Sequence, residues 1–139
     1  MRQIDEEYIQ KGLVRFSYQH IIVLGPESQL AAEASECAAD QDAFWNFHDR
    51  LFEVQQGKNK GVYRKDNLKL YAAELGLVTA TFSDCLDTGK YNQTVLEESR
   101  AAASLGIRST PSFLINGRPL LGAQPFEVFE QYIETELAK

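Results

Sequence analysis

The spacing of apolar residues along the chain changes more than once, and each change marks an element. Ile4, Tyr8 and Ile9 recur among charged residues as far as Lys11, and Gly12 follows as a C-terminal cap, so residues 1–11 read as the end of a helix. Val14, Phe16 and Tyr18 then alternate with polar neighbours, and the apolar run 21–24 stops at Gly25-Pro26, which predicts a strand. From Pro26 onwards Leu30, Ala31, Ala34, Cys37 and Ala38 return at helical spacing, their small side chains suiting close approach of a neighbouring helix. Phe44, Phe47, His48, Leu51 and Phe52 form a wide stripe with Trp45 beside it, the pattern of a core helix. Residues 55–63 are a polar loop with Gly57 and Gly61. Asp66 is expected to cap a helix carrying Leu68, Tyr71, Ala72 and Leu75, closed by Gly76. Thr79 or Thr81 opens a short helix through Phe82, Cys85 and Leu86 that ends near Gly89, and a longer one runs from about 91 to 105 with Gly106 as its cap.

In the last third the period shortens to two. Residues 112–115 read as a strand, Asn116-Gly117 is the pair that a type I′ hairpin turn requires, and residues 119–121 are a short partner strand. Gln124-Pro125 starts a final helix whose buried face is Phe126, Phe129, Ile133 and Leu137. There is no internal repeat, low-complexity segment or interdomain linker.

Composition narrows the function classes. With 139 residues, 44% of them hydrophobic and 24% charged, the chain is expected to form one soluble globular domain, and no apolar run approaches the ~18 residues of a membrane span. Fourteen Lys and Arg against twenty Asp and Glu leave a net charge of −6, which opposes nucleic-acid binding because that affinity comes from cationic contacts. A four-ligand zinc site would need every Cys and His present, namely Cys37, Cys85, His20 and His48, so no metal is expected. No other cofactor is implied. The opening residues 1–7 lack the apolar core of a secretory signal, which leaves the chain cytosolic, already processed, or a fragment. His48 on the aromatic stripe reads as a hydrogen-bonded core histidine, and His20 follows the first strand. Lys58, Lys60, Arg64 and Lys65 read as a solvated loop face, and Asn92-Gln93-Thr94, inside a predicted helix, is discounted as a glycosylation site.

Ser109-Thr110-Pro111 placed directly before a hairpin resembles the second half of a thioredoxin fold that carries a large helical insertion. More narrowly, the stretches 31–38, 44–52, 85–91, 105–113 and 122–126, in this order, resemble the bacterial DsbA-like thiol–disulfide oxidoreductases. The resemblance implies an α/β, thioredoxin-like single domain over residues 1–139, with the helical insertion at about 26–90. Family members begin with a strand and a Cys-x-x-Cys at the start of a helix, where the helix dipole stabilises the first thiolate. The chain begins inside that helix, so it is expected to lack the first βα unit. By the same resemblance, the missing strand lies between residues 14–18 and 112–115. Its absence predicts either closure of the gap or an intermolecular sheet, hence a homodimer through exposed sheet edges.

The resemblance also assigns roles. Pro111 is implied to be a cis-proline and Thr110 to contact an extended polypeptide substrate. Cys37 and Cys85 read, from the residues alone, as two buried small hydrophobes; the resemblance adds a structural disulfide as the sharper alternative. The functional expectation is a DsbA-like oxidoreductase domain acting on unfolded or extended polypeptides, inactive as given because the catalytic Cys pair is absent. Its parent protein would be exported to a periplasm or cell envelope. The alternative is a non-catalytic thioredoxin-like peptide-binding module, and a third reading is a relative of the kappa-type glutathione transferases.

Overall fold

A computed structural model describes residues 2–139. In chain order the elements are α1 (Arg2–Ile4), which runs directly into a π-helical stretch (Asp5–Ile9), then α2 (Pro26–Ala39), α3 (Phe44–Glu53), α4 (Lys65–Glu74), α5 (Thr79–Thr88), α6 (Asn92–Ser104), β1 (Ser112–Ile115), β2 (Arg118–Leu121) and α7 (Phe126–Leu137). They separate into two units. One holds the stretch through Gln19 together with Gly106–Lys139, and the other is His20–Leu105. Met1, the first residue of the expected N-terminal helix, lies outside the described residues.

The first unit is a hairpin packed on helices. β1 and β2 pair antiparallel, with Ser112 opposite Leu121 and Ile115 opposite Arg118. Asn116 at φ 46° and Gly117 at φ 82° turn the chain between them, the two positive values that a type I′ turn needs and that Asn-Gly tolerates. Phe113 and Ile115, two residues apart and therefore on one face, pack with Leu120 against Phe129 and Ile133 of α7 and against Ile4 and Tyr8. The rings of Phe113 and Phe129 meet edge to face with centroids 4.8 Å apart. Tyr8, buried, donates its hydroxyl to Glu134 Oε1 at 2.9 Å.

Burial, and then the hydrogen bond to the Glu134 carboxylate, push the Tyr8 phenol up to about 12. An unfolded tyrosine titrates near pH 10, so neutral Tyr8 favours the folded state below that pH. This contribution should disappear as the pH rises from about 10 to about 12, giving a falling unfolding free energy that the Tyr8→Phe variant lacks. Chemical denaturation at stepwise alkaline pH checks it.

The second unit is helical. Its core joins Ala34, Cys37 and Ala38 of α2, Phe47 and Leu51 of α3, Leu68, Tyr71 and Ala72 of α4, and Phe82, Cys85 and Leu86 of α5. Phe47 and Phe82 are fully buried, their ring centroids 5.3 Å apart. A disulfide joins Cys37 to Cys85, with Cα atoms 5.9 Å apart, and so ties α2 to α5. Side chains finish what the helices leave open. Glu27 accepts the amides of Gly61 at 2.7 Å and Tyr63 at 3.0 Å, fastening the polar loop to the start of α2. Gln41 both accepts the Val78 amide and donates to the Val78 carbonyl, closing the entry to α5.

Four sequence expectations are corrected here. No strand forms over residues 13–24 among the described residues, whose sheet is the β1–β2 hairpin. Instead, the amides of His20 and Ile22 go to side chains of α6, to Glu98 Oε2 at 2.7 Å and Ser99 Oγ at 3.0 Å. The apolar stripe of α3 is narrower than its pattern suggested: Phe47 and Leu51 are buried, whereas Phe52 is 61% and Trp45 48% exposed. His48 lies on the flank of that helix and pairs with Asp49 Oδ1 at 3.0 Å, so it is not a core histidine. Asp66 falls in the first turn of α4 rather than at its cap, where a carboxylate still complements the helix dipole.

Candidate functional site

In the first unit, the loop before β1 carries Thr110-Pro111. The peptide bond between them is cis, and both residues are exposed. Neighbouring bonds hold the loop in place. The Gly122 amide donates to the Pro111 carbonyl at 2.9 Å, closing the open end of the hairpin, and Ser112 Oγ donates to the Ser109 carbonyl at 2.7 Å. Gln124 Nε2 donates to the Leu121 carbonyl at 2.8 Å, which fixes the turn into α7. The Thr110 amide and carbonyl have no hydrogen-bond partner among the described residues.

Beside this bare stretch of main chain lies a cavity of about 300 Å³ lined by Pro111, Phe113, Ala123, Phe126, Phe129 and Ile4, with Gln3 and Gln124 also contributing. Each lining residue is placed by a separate cause: Phe113 by the strand period, Phe126 and Phe129 by helical spacing on α7, Ile4 by the turn of α1, and Ala123 by the bend at Gly122. The arrangement offers main-chain pairing to an extended segment and an apolar recess for one of its side chains. None of these lining residues is an acid, a base or a thiol.

Pro111 is therefore part of the cavity wall, and Thr110 precedes it in the chain. The spacing of apolar residues did not show that Ile4, Phe113 and Phe126 converge there, because they come from distant parts of the chain. The only sequence signal was the run Gly122-Ala123-Gln124-Pro125-Phe126.

Cys37 and Cys85, the chain's two cysteines, lie in the helical unit and are bonded to each other. They are 1% and 6% exposed. The Asp40 carboxylate sits 3.9 Å from Cys85 Sγ and receives Lys90 Nζ at 2.7 Å and the Tyr91 hydroxyl at 2.6 Å. Those two donors, Lys90 first, hold the Asp40 carboxyl below the usual carboxylate range. Burial of both cysteines keeps an attacking thiolate away from the bond. His20, also in the helical unit, is buried and pairs through Nε2 with Glu36 Oε1 at 2.8 Å. Among the described residues no group of three or more Cys, His, Asp or Glu is arranged to hold a metal ion, and no helix is long and apolar enough to cross a membrane.

The family model described as thioredoxin matches residues 1–135. Disulfide bond formation protein D of Bacillus subtilis is 29% identical over 138 residues, which cover 97% of this chain and 62% of that protein. A stretch of the Na(+)/H(+) antiporter NhaA 1 of Salinispora arenicola is 31% identical over 127 residues, 90% of this chain and 19% of that protein. The crystal structure of oxidised BdbD from Bacillus subtilis superposes with a TM-score of 0.89 at 27% identity, covering 100% of this chain and 77% of that one. The chain thus spans about six-tenths of the length of the disulfide bond formation protein that it matches.

Proposed function

The chain belongs to the thioredoxin family, in its DsbA-like group, and from that premise we propose that it is the substrate-holding part of a protein thiol–disulfide oxidoreductase. An extended polypeptide pairs with the main chain of Thr110 and places one apolar side chain in the cavity beside Pro111. The observation that carries this reading is the exposed, unpartnered Thr110 main chain next to an apolar recess of about 300 Å³. The Cys37–Cys85 bond staples the helical unit and takes no part in exchange. Such a bond suits an oxidising compartment, which supports export of the parent protein.

Fluorescence anisotropy of a labelled extended peptide containing one leucine tests the binding. Saturable binding is expected, and Ala123→Trp, which adds bulk at an exposed position on the cavity wall, should weaken it about tenfold or more, the loss of one buried apolar side chain. Unchanged affinity in this variant would remove the cavity from the proposal. The same chain should leave a reduced, unfolded substrate unoxidised, because its two cysteines are bonded to each other and buried.

That point favours a second reading, a peptide-binding module without thiol chemistry. Intact mass of the protein isolated from its source cells, with and without alkylation, separates the two. Extra chain carrying two more reducible cysteines supports the oxidoreductase, and the present length supports the module.

β1 pairs with β2 on one side, and among the described residues no second strand covers its other edge. Unpaired edges recruit strands, so we extend the proposal to a homodimer joined along β1. Sedimentation equilibrium should show concentration-dependent association, and a monomer throughout the micromolar range would count against it.

A further inference from the structure

The helical unit holds an open cleft of about 620 Å³ that the proposed function does not use. It is bounded by Pro26, Gln29, Leu30 and Glu33 of α2, by Lys65, and by Asp87, Thr88, Gly89 and Asn92 around the turn from α5 to α6. At its wall stands Glu33, 4% exposed, a carboxylate on the buried side of α2. Buried carboxylates are costly unless paired with a cation or fully hydrogen-bonded. Glu33 has no cation within ion-pair distance among the described residues.

Its Oε1 accepts two amides, Gln29 Nε2 at 2.9 Å and Asn92 Nδ2 at 3.1 Å. Its Oε2 has no hydrogen-bond partner among the described residues, yet no side-chain oxygen or nitrogen is both sealed and unsatisfied, so Oε2 opens to the cleft. The two amides extend the pattern. Each must turn its N–H toward the carboxylate, which leaves Gln29 Oε1 and Asn92 Oδ1 as acceptors with no donor of their own among the described residues. Three residues that line one cleft and are hydrogen-bonded to one another thus present three oxygens without donors, one of them charged.

The other charges of the cleft are already matched. Asp87 takes Lys69 at 2.6 Å and Lys65 at 3.8 Å, and Lys65 also donates to the Leu86 carbonyl at 3.0 Å. The deficit is one positive charge bearing N–H donors. A calcium ion needs six to eight oxygens and several carboxylates, and only one free carboxylate is offered. A primary ammonium has three donors and one charge, and Pro26 and Leu30 supply apolar surface for its alkyl stem. We propose that this cleft binds a primary alkylammonium group, with Glu33, Gln29 and Asn92 as its acceptors.

The ammonium could arrive as a free amine or as the lysyl side chain of a polypeptide, and the experiment separates them. n-Butylammonium chloride is titrated into the full 15N-labelled chain while the side-chain amide resonances of Gln29 and Asn92 are followed. Saturable shifts are expected with n-butylammonium. Tetramethylammonium, which has charge but no N–H, and n-butanol, which has neither ammonium nor charge, should leave them in place. Glu33→Gln should weaken the binding about tenfold or more, the effect of removing a charged acceptor. If that variant does not fold, the wild-type titrations decide alone. Equal shifts from tetramethylammonium, or shifts from calcium chloride in the absence of any from n-butylammonium, would overturn the assignment, as would the absence of all shifts. An extended peptide with one lysine that binds more tightly than n-butylammonium, and loses that gain when lysine is replaced by norleucine, identifies the polypeptide as the source; no gain identifies a free amine.

Discussion

Removal of the Cys37–Cys85 bond, by reduction or by the double change of Cys37→Ala with Cys85→Ala, should cost the protein up to about 4 kcal/mol of unfolding free energy. The figure follows from the sequence separation of 48 between the two cysteines, since a bond closing that loop withdraws a large share of the conformations open to the unfolded chain. It is an upper value because disulfides commonly contribute less than this loop-closure figure. In thermal terms the loss is about 15 °C in Tm for a chain of this length. Guanidinium denaturation of oxidised and reduced protein measures it, with the midpoint falling and the slope rising as the unfolded state expands. Because the bond ties α2 to α5, the signals lost first should be those of the helical unit, such as the Trp45 fluorescence, while the hairpin unit keeps its own packing. Equal denaturation midpoints with and without reductant would mean that the helical core holds these helices unaided.

The second large effect is at Phe129. Phe129→Ala should destabilise the first unit by about 3–5 kcal/mol, the range for a buried phenylalanine. That core is small, and Phe129 touches both of its faces: it meets Phe113 edge to face and lines the cavity beside Pro111. A gap there cannot be filled from the hairpin, whose register is fixed by the Asn116-Gly117 turn. The variant should therefore lose peptide binding together with stability, whereas Phe129→Leu, which keeps most of the volume, should lose much less of either. Urea denaturation and the anisotropy titration report the two quantities separately. Retained peptide affinity in a folded Phe129→Ala protein would place the recognition surface elsewhere.

Helices and hairpin were legible because their signals are local. Gly76, Gly89 and Gly106 stand where helices end, all with positive φ, and Asn116-Gly117 marks the one tight turn between strands. The alternating run at Val14 to Tyr18 was misread because alternation shows which face of an extended segment is apolar, whereas a strand also needs a ladder partner. Periodicity on α3 likewise identifies a face without showing how much of it a neighbour covers, so Phe52 belongs to the apolar stripe by spacing and is exposed in the fold.

The candidate site divides in the same way. Thr110-Pro111 stood out through its resemblance to a known arrangement, but the recess beside it is assembled from α1, β1 and α7, and no short window of sequence contains all three. Glu33 was invisible as anything other than one charge in an alanine-rich helix. Its meaning depends on Asn92, which is 59 positions away.

The segment that enters the helical unit has one further property. His20 and Ile22 belong to no helix or strand, yet their amides are held by Glu98 and Ser99 of α6, two hydrogen bonds at the strand period made to side chains instead of a neighbouring backbone. Backbone bonded in this way exchanges its hydrogens slowly and does not unwind easily into the cleft of a protease. The stretch that looks least structured on paper is thus guarded, and the vulnerable point of the unit is the exposed run from Gln55 to Lys60, on the far side of Glu27's hold on Gly61 and Tyr63.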